Sequence, residues 1–193
     1  MARLAGRHVP LMTPGAALRL TSDVADRARS VKLILMDVDG VLTDRRIIYQ
    51  AELDEAKGFD AHDGVGIKLA QRAGLLTGII TGRLSIATSR RARELKMAEF
   101  HQKVFTKLEV LDSILKARRL PPAHVCFIGD DLVDIPVMKK VGFAAAPADA
   151  RVEARRVAHL VTGADGGRGA VREVIDFILK VQGRWEKVTS GYL

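Results

Sequence analysis

The chain has 193 residues, of which 48% are hydrophobic and 28% charged, and its formal net charge is +8. This length and apolar fraction suit one domain with a single hydrophobic core. The one cysteine, Cys126, excludes a disulfide framework within the chain and favours a reduced, cytoplasmic setting. No apolar run approaches the length of a membrane span, and Pro10 and Pro14 interrupt the short run near the N-terminus, so we expect neither a membrane anchor nor a signal peptide.

The positive charge is compatible with a polyanionic partner, but its distribution argues against one. The densest basic cluster lies on a predicted helix where acidic and apolar residues interleave; it consists of Arg90, Arg91, Arg93 and Lys96. Aromatic residues make up only 5% of the chain, and no platform for stacking bases is evident. We therefore expect no nucleic-acid partner, and interpret the charge as a solvated helix face with an attractive field for a small anionic substrate.

Residues 1–30 are predicted to form an arm and a helix, over 16–28, that lead into the first strand. That strand is the apolar run LILM at 33–36, whose unbroken hydrophobicity is typical of a strand covered on both faces. Asp37 follows at its carboxyl end, where open α/β sheets place ligands, and Asp39 lies two residues later. Two crowded carboxylates are costly unless a cation or a reaction uses them, although aspartate is also common in ordinary turns.

The elements that follow alternate between extended and helical patterns. Residues 45–60, RRIIYQAELDEAKGFD, predict two short extended pieces around an acidic turn, a hairpin flap beside Asp39. Helical patterns then occur, between short strands, at residues 65–72, 85–95, 107–118, 135–140 and 170–181. Such alternation predicts an α/β fold, in which a parallel sheet carries helices on both faces.

Two more apolar strands end in polar clusters flanked by glycine. They are LLTGIITGR, at 75–83, and the first part of VCFIGDDLVD, at 125–134. The polar residues delivered in this way are Thr81, Gly82, Asp130, Asp131 and Asp134. Because the carboxyl ends of parallel strands share one edge of a sheet, we expect these residues to meet Asp37 and Asp39.

The residue types at this edge suit phosphate chemistry. A phosphate monoester is dianionic, so an attacking carboxylate such as Asp37 needs a cation to suppress repulsion, and Mg²⁺ prefers carboxylate oxygens. Lys107, at the start of the predicted helix 107–118, is a further candidate cation. Taken alone, a lysine at a helix start is usually solvated.

These segments resemble the motifs of the haloacid dehalogenase (HAD) superfamily of phosphohydrolases. DVDG is similar to the first motif, Thr81 in IITGR to the second, Lys107 in KVFTKLEVL to the third and GDDLVD to the fourth. The longer segments DVDGVLTD, FDAHDGVGIKLA, GDDLVDIPVM and GGRGAVREVIDFIL resemble one family in particular, the 3-deoxy-D-manno-octulosonate 8-phosphate (KDO 8-phosphate) phosphatases.

The resemblance implies a fold and an assembly. We expect a HAD-like Rossmannoid three-layer sandwich over residues 31–182, with a small β-hairpin flap at about 45–60 and no large cap domain. Residues 183–193 resemble family tails that reach toward a partner's site, although a disordered end is the alternative. The resemblance further implies Mg²⁺ as cofactor, and a homotetramer in which flap and tail contribute to a neighbouring site.

Catalytic roles also come from the resemblance. It implies that Asp37 is the nucleophile and a metal ligand, and that Asp130 and the main-chain oxygen of Asp39 complete the metal ligands of the protein. The side chain of Asp39 would protonate the leaving alkoxide and then activate water. Thr81 would bind a phosphoryl oxygen, while Lys107 would neutralise phosphoryl charge and hold the nucleophile.

The supporting acids are less specific. Asp131 would assist the metal or orient its waters. Asp134 would position Lys107 or, as the alternative, cap the helix that begins near Ile135.

Substrate selection is the least specific part of the pattern. The backbone amide of Gly82, next to Thr81, is a candidate hydrogen-bond donor to a phosphoryl oxygen. Arg83 is predicted to bind a sugar-acid carboxylate or the phosphate, unless it forms a structural ion pair. His62 stands where the family often carries a basic residue, and its neutral form leaves that contact open. Arg168 lies in a glycine-rich loop, GGRG, that suits either an anion or a plain turn.

Predictions for two further positions concern local structure. Asp63 is a candidate helix cap. Arg45 departs from the glycine that relatives commonly have after VLTD, a change expected to alter the exit of the flap.

The predicted function is a Mg²⁺-dependent phosphomonoesterase for KDO 8-phosphate in lipopolysaccharide precursor synthesis, acting through an aspartyl-phosphate. A rival within the enzyme class is a phosphatase for a nine-carbon keto-sugar acid 9-phosphate, such as a sialic or deaminated sialic acid. A different class is a phospho-accepting receiver-like signalling module, which has no need of an acid at Asp39 to protonate a leaving group. A third possibility, an inactive scaffold, conflicts with the joint presence of Asp37, Asp39, Lys107 and Asp130.

Overall fold

A computed structural model describes residues 22–50 and 55–192. In chain order, the strands of these residues are β1 (Leu33–Met36), β2 (Ile48–Tyr49), β3 (Glu55–Ala56), β4 (Leu76–Ile80), β5 (Glu99–His101), β6 (Val125–Ile128), β7 (Phe143–Ala146) and β8 (Leu160–Val161). Six of them form one parallel sheet in the order β5-β4-β1-β6-β7-β8, and β2 pairs with β3 in a small antiparallel hairpin. The predicted α/β fold with a parallel sheet and a hairpin flap is thereby confirmed.

Helices follow most of the strands. Those of the described residues are α1 (Ser22–Arg29), α2 (Ala61–Arg72), α3 (Ile86–Glu94), α4 (Lys107–Arg118), α5 (Ile135–Lys140), α6 (Val152–Val157), α7 (Ala170–Val181) and α8 (Trp185–Thr189). The predicted helix over 16–28 is seen from Ser22 onward, and its earlier part lies outside the described residues. Among the helices described, none combines the length and apolar character needed to cross a bilayer.

Strand β1 divides the core into two layers. All four of its residues are 0% exposed, and alternate side chains point to opposite faces of the sheet. Ile34 and Met36 belong to a cluster with α1, α2 and α7, whereas Leu33 and Leu35 belong to one with α4, α5 and α6. Burying each of these side chains contributes about 1.5–3 kcal/mol, so β1 is held firmly at the centre of a three-layer sandwich.

Helix α2 begins one turn earlier than the predicted pattern at 65–72. Asp60 is its N-cap, because one side-chain oxygen accepts hydrogen bonds from the backbone amides of His62, at 2.6 Å, and Asp63, at 3.4 Å. The prediction that Asp63 caps this helix is therefore wrong. Asp63 instead lies in the first turn of α2 and is 1% exposed.

The carboxylate of Asp63 joins α2 to α7. Its Oδ1 accepts a hydrogen bond from the backbone amide of Arg172 at 2.7 Å, in the first turn of α7. Burial raises the pKa of Asp63 to about 6, although this hydrogen bond acts in the opposite direction. A buried acid thus stands at the contact between two helices of the same layer.

The last described residues fold back on their own chain. Trp185 and Val188 of α8 pack against the core layer that contains α2 and α7. The guanidinium carbon of Arg72 lies 5.2 Å from the ring centroid of Tyr192, and that of Arg172 lies 5.8 Å from Trp185. A contribution of residues 183–193 to a neighbouring site stays a prediction.

Strand register determines which loops meet at the carboxyl edge of the sheet. Met36 of β1 pairs with Ile79 of β4 and with Ile128 of β6, so the residues after these three strands are neighbours. The backbone amide of Asp37 continues the ladder by donating to the carbonyl of Ile128 at 3.0 Å. The acids and the threonine predicted to meet are therefore brought to one edge by the sheet itself.

Replacing Asp63 with asparagine is expected to change how stability depends on pH. The raised pKa, about 6, means that the folded protein holds this proton more tightly than the unfolded chain. The contribution is present at low pH and is lost as pH rises from about 4 to about 7. Asp63→Asn keeps an acceptor for the Arg172 amide but cannot ionise, so its free energy of unfolding relative to wild type should increase across this window.

The measurement is urea unfolding at about pH 4.5, 5.5 and 7. Asp112→Asn, on the exposed side of α4, is the matched control for replacing a carboxylate by an amide. A difference between Asp63→Asn and wild type that stays constant with pH would show that this carboxyl does not contribute to the pH dependence.

Candidate active site

A cavity of about 420 Å³ opens at the carboxyl edge of the sheet. Nine of the residues singled out from the sequence line it: Asp37, Asp39, Arg45, Thr81, Gly82, Arg83, Lys107, Asp130 and Asp131. Three more that the sequence did not indicate also line it: Val104, Phe105 and Val133. Phe105 is 89% exposed, and this exposure of an aromatic residue just before the third motif is the kind of signal that only the folded structure supplies.

Asp37 lies at the floor of the cavity, at the end of β1. Its Oδ1 is 2.8 Å from the Nζ of Lys107, the first residue of α4. Burial raises the pKa of Asp37 to about 6, although the charge of Lys107 lowers it. A weakly solvated carboxylate facing open space is a suitable nucleophile once a cation offsets its charge.

Lys107 is buried between two carboxylates. Its Nζ also lies 2.7 Å from the Oδ1 of Asp134. Burial alone lowers the pKa of a lysine, but Asp37 and Asp134 outweigh it here and raise the pKa of Lys107 above its usual value. Lys107 therefore stays a permanent cation beside the nucleophile.

Asp134 holds Lys107 in this position. It is fully buried, and its second oxygen accepts hydrogen bonds from the backbone amides of Asp130 at 2.9 Å and Asp131 at 3.3 Å. Its side chain does not cap α5. Of the two roles considered from the sequence, the geometry therefore supports the positioning of Lys107. Asp131 is exposed and accepts the amide of Leu132 at 2.7 Å, so it also caps the 3₁₀ turn that follows.

The buried acids form a candidate cation site. Among the described residues, Asp37, Asp130 and Asp134 offer carboxylate oxygens that lie within 4.8 Å of one another. Burial, together with the negative charges of Asp37 and Asp134, raises the pKa of Asp130 to about 8. The Oδ1 of Asp130 is buried without a hydrogen-bond partner among the described residues. An orphaned oxygen in a crowded set of oxygen donors fits a hard divalent cation.

Gly40 explains how Asp130 approaches the β1 loop so closely. Its φ is +99°, in the left-handed region, and a Cβ there would collide with the carboxylate of Asp130 and the stem of Arg45. Arg45 lines the cavity, has a φ of +67° and pairs with Asp149. Its conformation is the one that glycine favours, so arginine fills a glycine-like position here.

Asp39 contacts a partner that the sequence analysis did not identify. Its Oδ1 accepts a hydrogen bond from the Nζ of Lys57, which directly follows β3 of the flap. Lys57 also lies 3.4 Å from the Oε2 of Glu55, and Glu55 pairs with Arg83. The flap therefore sends charged side chains into the site. The alternation of acids and lysine in DEAKGFD was the available signal, but it was interpreted only as an acidic turn.

Thr81 and Arg83 follow β4. Thr81 is 2% exposed, and its amide donates to the carbonyl of His101 at 2.9 Å. Arg83 lines the cavity while paired with Glu55, so the structural ion pair considered from the sequence is present. Helix α3 begins beyond them, at Ile86, with Ser85 as its N-cap.

His62 and Arg168 lie outside the cavity of this chain. His62 is exposed at the start of α2, with its Nδ1 3.8 Å from the Oδ1 of Asp60. Arg168 is exposed, with its guanidinium 3.9 Å from the Oδ2 of Asp44. The loop that carries Arg168 packs behind the β1 turn, where the amide of Gly167 donates to the carbonyl of Val41 at 2.9 Å. The geometry thus gives neither side chain a contact with the cavity.

Comparison with known proteins agrees with this geometry. A family model described as haloacid dehalogenase-like hydrolase matches residues 92–175. The 3-deoxy-D-manno-octulosonate 8-phosphate phosphatase of Yersinia pestis is 39% identical over 171 residues, which are 89% of this chain and 91% of that protein. The enzyme of the same name from Escherichia coli K12 is 38% identical over 168 residues, 87% of this chain and 89% of that protein.

A solved structure extends the similarity to three dimensions. It is the Moraxella catarrhalis 3-deoxy-D-manno-octulosonate 8-phosphate phosphatase in complex with a magnesium ion, a phosphate ion and a KDO molecule. This chain matches it with a TM-score of 0.86 at 36% identity, over 89% of this chain and 98% of that one. The resemblance seen in the sequence motifs is confirmed, and the chain belongs to the 3-deoxy-D-manno-octulosonate 8-phosphate phosphatase family of HAD-like hydrolases.

Proposed function

We propose that this chain is a Mg²⁺-dependent phosphomonoesterase that hydrolyses KDO 8-phosphate to KDO and phosphate, in lipopolysaccharide precursor synthesis. One observation carries the proposal: a buried nucleophile, Asp37, a candidate acid, Asp39, and a fixed cation, Lys107, line a single cavity. Phosphatase relatives aligned over most of the chain support the reaction class and the substrate.

In the first half-reaction, a carboxylate oxygen of Asp37 attacks the phosphorus atom. The new oxygen–phosphorus bond forms as the bond to the sugar oxygen breaks, giving an aspartyl-phosphate. Asp39 donates its proton to the departing alkoxide, which leaves as a neutral alcohol. Lys107 offsets the negative charge of the phosphoryl group, and Thr81 is placed to donate to one of its oxygens.

In the second half-reaction, Asp39 accepts a proton from a water molecule. The water oxygen attacks phosphorus, and the bond to Asp37 breaks to release inorganic phosphate and the free carboxylate. Because the same side chain gives a proton in one step and takes one in the next, Asp39 is restored after each turnover.

The acidic cluster fits magnesium as the cofactor. Asp37 and Asp130 are its candidate side-chain ligands, because Asp134 already accepts Lys107 and two backbone amides. The main-chain oxygen of Asp39 stays a proposed third ligand. When bound, magnesium supplies positive charge that reduces repulsion between the nucleophile and a phosphate dianion.

Recognition of an acidic sugar is assigned to the cations at the rim. Arg83 lines the cavity and is 39% exposed at its side chain, so it can exchange Glu55 for a substrate carboxylate. His62 and Arg168 lie outside this cavity, and any contact of theirs with substrate would need a different arrangement of chains. A homotetramer and a cytoplasmic location, suggested by the family resemblance and the single buried cysteine, belong to the same proposal.

A substrate panel tests the assignment directly. Phosphate release from KDO 8-phosphate, from a nine-carbon keto-sugar acid 9-phosphate and from an unrelated sugar phosphate is measured with Mg²⁺ and with chelator. We expect the highest kcat/KM on KDO 8-phosphate, because an enzyme discriminates substrates by how well it binds their transition states. We also expect loss of activity in chelator. Equal rates on the two keto-sugar acids, or preference for the unrelated ester, would remove the KDO assignment.

Asp37→Asn is expected to abolish turnover without loss of the fold. The amide cannot form the aspartyl-phosphate, so kcat should fall by about 10³-fold or more. Burial raises the pKa of Asp37 to about 6, so the ionised group costs stability at neutral pH and the neutral amide removes that cost. Steady-state kinetics and circular dichroism check both parts, with Asp112→Asn as a surface control. A rate near that of wild type would refute the nucleophile.

Metal binding is expected to stabilise the protein through Asp130. At about 100 times the dissociation constant, a ligand adds about 2.7 kcal/mol, which corresponds to about 5–10 °C in Tm for a chain of this size. Asp130→Asn removes a ligand and the repulsion among the buried acids, so this variant should lose most of the Mg²⁺-dependent gain. Differential scanning fluorimetry with chelator and with Mg²⁺ measures the gain, and an equal gain in both proteins would place the ion elsewhere.

A further inference from the structure

We propose that Lys57 is a positioning residue that holds the carboxylate of Asp39 in place for proton transfer to the leaving group. This inference rests on the proposed phosphatase function and adds the flap to its catalytic machinery. Lys57 directly follows β3, so the side chain enters the site from the flap and not from the sheet.

The contact is buried and specific. The Nζ of Lys57 donates to the Oδ1 of Asp39, and the lysine side chain is only 1% exposed, although lysine is rarely buried. Asp39 itself is 18% exposed at its side chain and lines the cavity. Its carboxylate thus faces Lys57 on one side and the substrate space on the other.

Glu55 offsets part of the electrostatic cost of burying the Lys57 ammonium group. Its Oε2 lies 3.4 Å from the Nζ of Lys57, and its other oxygen pairs with Arg83. Charges of opposite sign therefore alternate from the candidate acid to the rim of the cavity, in the order Asp39, Lys57, Glu55 and Arg83. A buried cation with two carboxylate partners is costly to displace, because breaking either contact leaves buried charge unpaired, so Lys57 restrains the flap relative to Asp39.

Proton transfer demands such a fixed relation. A general acid must lie within about 2.6–3.2 Å of the oxygen that it protonates, and a displacement of about 1 Å can cost about 10²-fold in rate. The backbone of Asp39 forms a bridge with Thr43 beside the turn at Gly40, outside the six-stranded sheet whose ladder fixes Asp37. Lys57 therefore adds a restraint on the carboxylate itself.

Leaving-group chemistry separates positioning from a purely structural role. An alkoxide leaves phosphorus only if it is protonated, whereas p-nitrophenolate leaves without a proton. A lysine that merely holds the flap affects both kinds of ester alike, whereas one that only binds the sugar causes a loss that adds to the loss from Asp39→Asn. A lysine that positions the acid affects the alkyl ester far more in kcat/KM, which reports the steps up to loss of the leaving group.

The experiment compares Lys57→Met, Lys57→Arg, Asp39→Asn and the double variant Lys57→Met/Asp39→Asn. Each is assayed as the full chain with Mg²⁺, on p-nitrophenyl phosphate and on an alkyl phosphate that the wild-type enzyme hydrolyses. Lys116→Met, an exposed lysine toward the other end of α4, is the matched control. Thermal unfolding of every variant shows whether the fold is kept.

We expect Lys57→Met to lower kcat/KM by about 10²-fold on the alkyl ester and by less than about 3-fold on the aryl ester. Lys57→Arg keeps a buried donor and should restore part of the loss. The double variant should be no worse than Asp39→Asn alone, because Lys57 acts through that carboxylate.

Two results would overturn the inference: equal losses on both esters, or additive losses in the double variant. Its failure is distinct from failure of the proposed function. A wild-type enzyme inactive on KDO 8-phosphate rejects that substrate, whereas the comparison of Lys57 variants is still decided on whichever alkyl phosphate is hydrolysed.

Discussion

The ion pairs between Lys107 and two buried acids are the interaction on which the site depends. Lys107 bridges Asp37 and Asp134 at 2.8 and 2.7 Å, and the carboxyl of Asp130 lies close by, so three acidic groups share a buried space with one basic group. Removing Lys107 would leave two buried carboxylates without their cation, which is far more costly than loss of a surface pair. The excess of acid over base makes the loops receptive to a divalent cation, whose charge would then reduce the repulsion of a phosphate dianion.

Much of this site was predictable because it is built on strands. A buried parallel strand is an unbroken apolar run, and register forces the residues after β1, β4 and β6 to share an edge. The placement of Asp37, Thr81 and Asp130 therefore follows from local patterns combined with one rule of sheet geometry. Lys107 required the motif resemblance, since a lysine at a helix start carries no signal of burial by itself.

The features that were missed depend on contacts between distant segments. Asp60 and Asp63 are both acids near the start of α2, and either suits a helix cap. The backbone amide of Arg172, more than 100 residues away in sequence, decides between them, because it donates a hydrogen bond to Asp63. Glu55 and Lys57 likewise have polar neighbours typical of a solvated turn, and only the fold of the hairpin brings them to Arg83 and Asp39. The local sequence pattern therefore predicts helices and strands well, but it does not predict which distant residues their polar side chains contact.

A small flap in place of a large cap changes how the site is closed. A cap domain covers an active site with a large surface. This hairpin has two-residue strands and instead places the charged side chains of Glu55 and Lys57 against Arg83 and Asp39. The ion pairs from Asp39 to Arg83 pass through Glu55 and Lys57, so the position of the acid and the position of a rim cation cannot vary independently. A substrate carboxylate that draws Arg83 away from Glu55 would strengthen the hold of Glu55 on Lys57. Recognition of an acidic sugar at the rim would then be coupled, through two flap residues, to the orientation of the proton donor at the phosphate.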